Sequence, residues 1–326
     1  MKDVHLPTLS VTMNCYNHAK YVGEALEAIL SQSFRPLEVI VVDDASTDNS
    51  AAIIEDFARR DPVVRLLRNK ENMGPPGARK RALKSALGDY IFNAASDDKV
   101  LPGFFEKSMA MLAQHPEAGL CFSDPAWLDD STGAVDATRL YLSSEPCYFP
   151  PGELVERLRR RLFMIAGHTV IMKRSLVVEA GGSELPWIHQ GLRWHSDWFS
   201  CRVVAFRHGA CYVPEPLSSW RMLQNTYGTS ARKQPSQQRE VLYQMMSLLK
   251  SPAYRDVLPL FERSNVLAGL IEWHVPTEKV RLLFGNPKHW DHFLPLAWVL
   301  LLRQMKSLVS QVTPLKRLRR RVLGSV

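Results

Sequence analysis

Residues 90–98 read Tyr-Ile-Phe-Asn-Ala-Ala-Ser-Asp-Asp, an apolar run that ends in two adjacent carboxylates. The triplet Leu-Pro-Gly at 101–103 then breaks the chain before a new helical pattern begins. In an open α/β sheet, ligands bind just beyond the carboxyl ends of the strands. Two acids at such a place suit a hard divalent cation, but Asp is also common wherever a strand ends in a turn. The stretch alone leaves both interpretations open.

The segments before this stretch alternate between strand and helix patterns. Apolar runs rich in β-branched residues predict buried strands, and helical apolar spacing between 21 and 30 predicts a helix. Pro75 and Pro76 suit the first turn of a later helix, and Gly88 suits its end. Strands are predicted at 8–13, 37–42, 63–67 and 90–95. The alternation of strand and helix predicts a parallel, doubly wound α/β sheet.

Polar residues follow several of the predicted strands at the point where each strand ends. Tyr16 and Asn17 follow the first strand, Asp44 follows the second, and Asp97 with Asp98 follows the fourth. Because the carboxyl ends of parallel strands meet at one edge of a sheet, we expect these residues to face one crevice. This coincidence favours a cation and nucleotide site over a simple turn. The glycine motifs of dinucleotide-binding oxidoreductases and of P-loop enzymes are absent from the sequence, which argues against both classes.

The composition is that of a globular protein. The chain has 326 residues, of which 46% are hydrophobic and 23% charged, so one large or two smaller units are expected. The five cysteines are scattered without a C-x-x-C pair, which predicts neither a zinc site nor a disulfide framework and fits a reducing cytoplasm. The N-terminal residues contain no apolar run, so no secretory signal is expected.

The net charge of +8 is concentrated near the C-terminus, where residues 303–326 carry seven Lys or Arg and no acid. The apolar run 293–302 that precedes them is shorter than the ~20 residues of a bilayer span. A basic tail beside an apolar segment favours an interfacial helix at 293–326 on an anionic membrane surface, with a solvated tail or a partner-binding helix as the alternative. Nucleic acid is not expected, because few aromatic residues accompany the charges.

Several segments, taken in order, resemble the inverting glycosyltransferases of family 2, which have the GT-A fold. The matching segments are the first strand and its loop at 9–17, the acidic segment 41–48, the loop and helix at 72–79, and Ser-Asp-Asp at 96–98 with Pro102. The resemblance covers residues 8–228. It implies a metal-dependent, hexosyltransferase-like enzyme with a GT-A type doubly wound, mostly parallel sheet, followed here by a helical C-terminal extension.

The resemblance also implies roles for individual residues. The loop that carries Tyr16 and Asn17 would flank the nucleotide base, and Asp44 would hydrogen-bond the base edge, commonly uracil. Asp98 would bind Mg²⁺ or Mn²⁺, and Asp97 would meet the ribose or help to hold the cation. The other nucleotide-sugar-binding positions that the resemblance implies are Asn72, Gly74 and Arg79, with Arg79 reaching the nucleotide or its phosphates.

The second half adds a candidate catalytic base. By resemblance, Asp197 lies where the family usually has a Glu-Asp pair, with Ser196 in place of the glutamate, and would act as the base. The alternative is a simple N-cap, since an acid suits the start of the helix that follows. His168 is expected to be a packed core residue on a strand at 166–172, and the polar stretch 122–150 is expected to be irregular.

Two departures from the family pattern keep a rival interpretation open. Ala95 stands where the first acid of an Asp-x-Asp motif often lies, and Ser196 replaces the expected glutamate. Both favour a catalytically inactive GT-A protein that binds nucleotide sugars or serves as a scaffold. A nucleotidyltransferase is a further rival, but it would usually carry a glycine-rich basic loop after the first strand, which residues 14–18 lack.

These observations predict a domain organisation and a function. A GT-A domain at 1–230 is divided into a nucleotide-binding half at 1–125 and an acceptor half at 126–230, and a helical extension follows at 231–326. The predicted activity is inverting transfer of a sugar from a nucleotide diphosphate sugar, with a UDP-sugar favoured, to an acceptor hydroxyl in envelope polysaccharide or glycolipid biosynthesis. The acceptor would be a glycan or a lipid-linked molecule, and the protein would be cytoplasmic, peripheral at the inner face of the membrane.

Overall fold

The computed structural model of the chain describes residues 7–160, 165–179, 190–223 and 235–267. Its strands are β1 Leu9–Cys15, β2 Glu38–Asp43, β3 Val64–Arg68, β4 Tyr90–Ala95, β5 Lys99–Val100, β6 Leu120–Asp129, β7 Val135–Ala137, β8 Cys147–Phe149, β9 Val170–Lys173 and β10 Ala210–Met222. Its α-helices are α1 Val22–Leu30, α2 Ser50–Arg60, α3 Gly74–Ser85, α4 Phe104–Gln114, α5 Pro151–Arg160, α6 Arg174–Glu179, α7 Ser196–His208, α8 Pro235–Lys250 and α9 Leu258–Arg263. Short 3₁₀ turns lie at Gly167–Thr169 and Gln190–His195.

The strands form one mixed sheet in the order β3-β2-β1-β4-β9-β6-β10-β5, with β7 beside β6 and β8 beside β10. Strands β3, β2, β1 and β4 are parallel to one another. Strand β9 runs antiparallel between β4 and β6, while β6 and β10 are again parallel. This arrangement confirms the predicted α/β sheet, and each of the first four predicted strands ends within two residues of its observed position.

Strand β2 is apolar on both faces because helices cover both sides of the sheet. On β2, Val39 and Val41 belong to one apolar cluster, whereas Ile40 and Val42 belong to the other. All of these side chains are fully buried. The continuous β-branched run that predicted the strand is therefore explained by burial on both faces.

The helical extension packs against α7. Phe261 of α9 is fully buried, and its ring lies 5.0 Å from that of Phe206, 5.8 Å from that of Phe199 and 6.1 Å from that of Trp198. Apolar side chains of α8 and α9 belong to the same cluster as the α7 side chains. The described part of the extension thus shares a core with the sheet domain, and the division of the chain near residue 230 stays a prediction.

Two expectations for the second half were wrong. The stretch that begins at 122 is not irregular at its start, because β6 pairs with β9 on one side and with β10 on the other. Its buried Asp124 is tolerated because Tyr212 Oη and the Leu140 amide both donate to its carboxylate.

The strand predicted at 166–172 begins only at Val170, because Thr169 closes a 3₁₀ turn by donating its N–H and its hydroxyl to Ala166 O.

Within the described residues, no helix has the length and apolar character needed to cross a membrane. The basic tail and its apolar run at 293–326 lie outside the described residues.

Candidate functional site

The predicted site residues meet at the carboxyl edge of the parallel strands. Strand β1 pairs with β2 up to Cys15 opposite Asp43, and with β4 up to Asn14 opposite Ala95. The chain therefore leaves the sheet at neighbouring positions before Tyr16, Asp44 and Asp97. This register places the crevice at the carboxyl edge of the parallel strands, as the sequence predicts.

Asn17 fastens the loop after β1 to the loop after β2. Its φ of 54° lies in the left-handed region, which asparagine adopts more readily than most residues. Its N–H donates to Ser46 Oγ at 3.0 Å, and its Oδ1 accepts from the Thr47 N–H at 2.8 Å. The adjacent Tyr16 side chain is 43% exposed, so the loop presents an aromatic ring at the edge of the crevice.

Asp44 is buried and held by one of its two carboxylate oxygens. Its Oδ1 accepts from Asn69 Nδ2 at 2.6 Å and from the Met73 N–H at 3.0 Å. Among the described residues, none donates to Oδ2. The side chain is thus oriented by the loop after β3, with one oxygen left for a hydrogen bond from a ligand.

The remaining nucleotide-side residues lie at the start of α3. Asn72 Oδ1 accepts from the Gly74 N–H at 2.8 Å, and Gly74 has a φ of 71°, a left-handed conformation that favours glycine. Further along the helix, Ala78, Ala82 and Leu83 belong to the same apolar cluster as Phe199 of α7. Burial and then the Asp197 carboxylate raise the pKa of the Cys201 thiol in α7, while the Arg202 and then the Arg79 guanidinium lower it. Helices α3 and α7 therefore contribute to one core cluster.

Asp97 and Asp98 follow β4 and are tied to β10 through Arg221. The Arg221 N–H donates to Asp98 Oδ1 at 2.9 Å, and its Nε donates to the Asp97 carbonyl at 2.7 Å. Burial and the neighbouring Asp97 carboxylate raise the pKa of Asp98 well above its usual range. Two crowded carboxylates of this kind gain from any bound positive charge.

Arg221 joins this pair to two further acids. The guanidinium contacts Asp130 at 3.1 Å and also pairs with Glu24 of α1. It lies 4.9 Å from the centroid of the Tyr21 ring. Because Arg221 is only 6% exposed, these partners are what make its burial tolerable. No local pattern in the sequence links Arg221 on β10 to Glu24 or Asp130, so this network was not predicted.

Asp197 lies in the first turn of α7, not at its N-cap, which is His195. The predicted N-cap is therefore wrong in its position, but the carboxylate still accepts from a first-turn N–H, and its role as the base stays a prediction. Asp197 Oδ1 accepts from the Trp198 N–H at 2.7 Å, while Oδ2 lies against Gly167, so closely that a methyl group on that glycine would overlap it. The helix thus holds the carboxylate against the 3₁₀ turn that precedes β9.

His168 follows in the same turn. Burial lowers its pKa to about 4, so the imidazole is neutral near pH 7. Its Nε2 is buried, and none of the described residues donates to it or accepts from it. Its ring packs against Trp127 and Trp220, two residues that sequence reasoning did not single out. The prediction that it is a packed residue agrees with this environment.

The donor set suits a hard cation only in part. Asp97 and Asp98 offer carboxylate oxygens, which Mg²⁺ and Mn²⁺ prefer, and burial beside the Asp97 carboxylate raises the pKa of Asp98. Among the described residues, no three His, Cys, Asp or Glu side chains form a cluster that could hold a metal by themselves. The residues fit a cation whose other ligands come from a bound phosphate or from water.

A mostly parallel α/β sheet with acids and an exposed tyrosine at its carboxyl edge, and with a carboxylate on a later helix, is typical of the GT-A class. The chain belongs to glycosyl transferase family 2, whose model matches residues 10–179. Residues 1–349 of TarS of S. aureus, crystallised in complex with UDP-GlcNAc, share the fold with a TM-score of 0.59 and 18% sequence identity. That similarity covers 85% of this chain and 78% of the TarS chain.

Two curated relatives resemble the first part of the chain. An uncharacterized glycosyltransferase of Haemophilus influenzae is 35% identical over 112 residues, which is 34% of this chain and 45% of the relative. Glycosyltransferase GlyG of Streptococcus pneumoniae is 34% identical over 125 residues, which is 38% of this chain and 41% of the relative. The chain therefore aligns with less than half the length of each of these relatives.

Proposed function

We propose that the protein is an inverting glycosyltransferase that moves a sugar from a nucleotide diphosphate sugar to an acceptor hydroxyl. One observation carries the proposal. The turn that holds His168 lies against β4, β6, β10 and α7, so the candidate base Asp197 and the acids after β4 border one region. Family membership supports the reaction class. TarS has been crystallised with UDP and with UDP-GlcNAc, which favours a UDP-sugar.

The nucleotide would occupy the loops after β1, β2 and β3. The exposed ring of Tyr16 offers a face for the base, and Asn17 keeps this loop beside the loop after β2. Asp44 Oδ2 would accept from the N–H of a base edge such as that of uracil, while Oδ1 stays bonded to Asn69. Arg79 would meet the diphosphate, with Asn72 and Gly74 shaping the loop before it.

The transfer itself would be a single displacement. Asp197 takes the proton of the acceptor hydroxyl as that oxygen bonds to the anomeric carbon, and the bond from that carbon to the diphosphate oxygen breaks. Its electron pair leaves with the nucleoside diphosphate, and attack from the opposite side inverts the configuration. The contact with Gly167 and the bond from the Trp198 N–H orient the carboxylate, because alignment supplies much of the rate gain in bimolecular steps.

Asp98, assisted by Asp97, would hold Mn²⁺ or Mg²⁺. A cation bound there offsets the charge that develops on the departing diphosphate. Arg221 fixes both acids by bonding the Asp98 carboxylate and the Asp97 carbonyl. The absence of an acid at Ala95 makes this site dependent on oxygens of the substrate.

The acceptor and the setting are proposed more broadly. A glycan or lipid-linked acceptor in envelope polysaccharide or glycolipid biosynthesis fits the predicted membrane-associating tail at 293–326, and a cytoplasmic protein at the inner face of the membrane fits the same feature. The arrangement of one GT-A domain at 1–230, with nucleotide and acceptor halves, and an extension at 231–326 belongs to this proposal.

A screen of nucleotide diphosphate sugars by thermal shift, with and without Mn²⁺, tests the proposal first. Selective binding should raise the melting temperature, because a ligand that binds only the folded state stabilises it. Release of UDP from the selected donor, abolished by a chelator and restored by Mn²⁺, is the expected second result. Binding without release under any acceptor condition would favour the inactive scaffold instead.

A further inference from the structure

Trp127 and Trp220 form an aromatic surface beside the candidate base. The two residues face each other in the register of β6 and β10, and their ring centroids lie 5.5 Å apart. His168 adds a third ring, 6.2 Å from Trp127 and 6.4 Å from Trp220. All three side chains are partly exposed. Trp127 Nε1 donates to Thr138 Oγ1 at 2.9 Å, which fixes the orientation of that indole.

This surface is linked along the chain to residues that contact both proposed chemical centres. His168 directly follows Gly167, whose backbone lies against the Asp197 carboxylate. Trp220 directly precedes Arg221, whose N–H is bonded to Asp98. The turn that carries His168 contacts β4, β6, β10 and α7, so the platform borders the same region as the candidate base.

We propose that Trp127, Trp220 and His168 form the platform for the acceptor, and that the acceptor end is a pyranose ring. This inference rests on the proposed function. An indole has a negative face, which attracts the weakly positive C–H bonds on one face of a pyranose while the hydroxyls point outward. A linear polyol or a bare phosphate has no such flat apolar face. The neutral imidazole keeps this surface free of charge.

A sugar stacked on the platform would present a ring hydroxyl to Asp197, where the proposed proton transfer takes place.

Saturation-transfer NMR on the full chain with saturating UDP tests the platform directly. The probes are the methyl glycosides of glucopyranose, galactopyranose and mannopyranose, and sorbitol is the linear comparison. We expect saturation on the C–H protons of one ring face for at least one pyranoside and a much weaker signal for sorbitol. No pyranoside signal, or an equal one for sorbitol, would overturn the proposal.

Variants then separate stacking from packing. Trp220→Leu keeps apolar volume but removes the aromatic face, and Trp127→Phe keeps a smaller ring. We expect Trp220→Leu to weaken pyranoside binding about three- to tenfold and Trp127→Phe to weaken it less, because an aromatic face contributes modestly beyond its area. Tyr141→Ala, which removes a ring that is 77% exposed elsewhere, should leave the signal unchanged. Equal pyranoside binding in Trp220→Leu and the unmodified chain would contradict the platform.

The two proposals fail in different ways. The rise in melting temperature with UDP reports binding at the nucleotide site. It should persist in Trp220→Leu, because the platform lies outside the loops that would hold the nucleotide. If UDP produces no shift in the unmodified chain, the proposed function fails, whatever the pyranoside does. If UDP stabilises the protein but no pyranoside contacts it, only the platform fails.

Discussion

Asn17 and Asp44, in the loops after β1 and β2, are held by hydrogen bonds to neighbouring loops. Asp197 instead depends on the packing of helix α7. Asp44 Oδ1 has two donors from the loop after β3. Asp197 bonds to the next N–H of its own helix, and α7 is positioned by the aromatic side chain of Phe261 in α9. The nucleotide side is therefore organised by nearby loops, and the transfer side by a distant part of the chain.

If this contrast is correct, Asp197→Asn should produce the largest functional effect. The amide keeps the size of the carboxylate but cannot take a proton, so transfer should fall about 10²- to 10⁴-fold. The UDP-dependent thermal shift and the free energy of unfolding should stay close to those of the unmodified chain. The measurement is UDP release with donor and acceptor present.

Asp136→Asn is the matched control for this substitution, because Asp136 is exposed on β7. It should transfer at the normal rate. Full activity of Asp197→Asn would remove Asp197 from the mechanism and would leave the acids after β4 as the sole chemical centre of the proposal.

The packing on the transfer side is tested by Phe261→Ala. Removing a fully buried phenyl ring typically costs about 3–5 kcal/mol of unfolding free energy, which urea denaturation would measure. Because Phe261 contacts α7 rather than the nucleotide loops, kcat should fall more than donor affinity. Phe261→Leu should lose less stability. Equal losses of donor affinity and kcat in the alanine variant would show that the two sides are not held independently.

Because of His168, the stability of the transfer side is expected to depend on pH. Its pKa of about 4 in the folded chain lies below the ordinary value of 6.5, so the unfolded chain binds the proton more readily. Stability is therefore fully present above about pH 6.5 and falls as the pH drops toward 4. Relative to His168→Gln, the unmodified chain should lose roughly 2–3 kcal/mol between about pH 7 and pH 4.5. Parallel losses in urea denaturation of both proteins would contradict the buried, neutral imidazole.

The same contrast explains what the sequence could predict. Strand β2 was predicted because burial on both faces leaves a continuous apolar run, and β1, β3 and β4 were predicted from apolar patterns that include polar residues. The acids come directly after these strands in the sequence. Because the strands are parallel, the acids were predicted to lie at one edge of the sheet. The family match at 10–179 confirmed the resemblance that these segments carry.

The transfer side was harder to predict because its contacts are distant in sequence. Strand β6 contains a buried Asp124. In the sequence such an acid indicates a loop, because its hydrogen-bond donor Tyr212 is far along the chain. The pairing of Trp127 with Trp220 depends on the register of two strands separated by several elements. The bond from the Arg221 N–H to Asp98 joins β10 to the loop after β4, and no pattern in the sequence indicates it.

The smallest expected effect is on the nucleotide side, where Asp44→Asn keeps an oxygen acceptor but removes the charge. The bonds from Asn69 Nδ2 and the Met73 N–H should then weaken without being lost, at a cost of about 1 kcal/mol of unfolding free energy. UDP should bind more weakly, because the variant has an NH₂ group in place of Oδ2. This group donates and cannot accept a hydrogen bond from the base edge. Calorimetric titration with UDP and with CDP separates these effects, since cytosine presents a different edge. A variant that binds UDP as tightly as the unmodified chain would exclude Asp44 from base recognition and leave it as a structural link between the loops after β2 and β3.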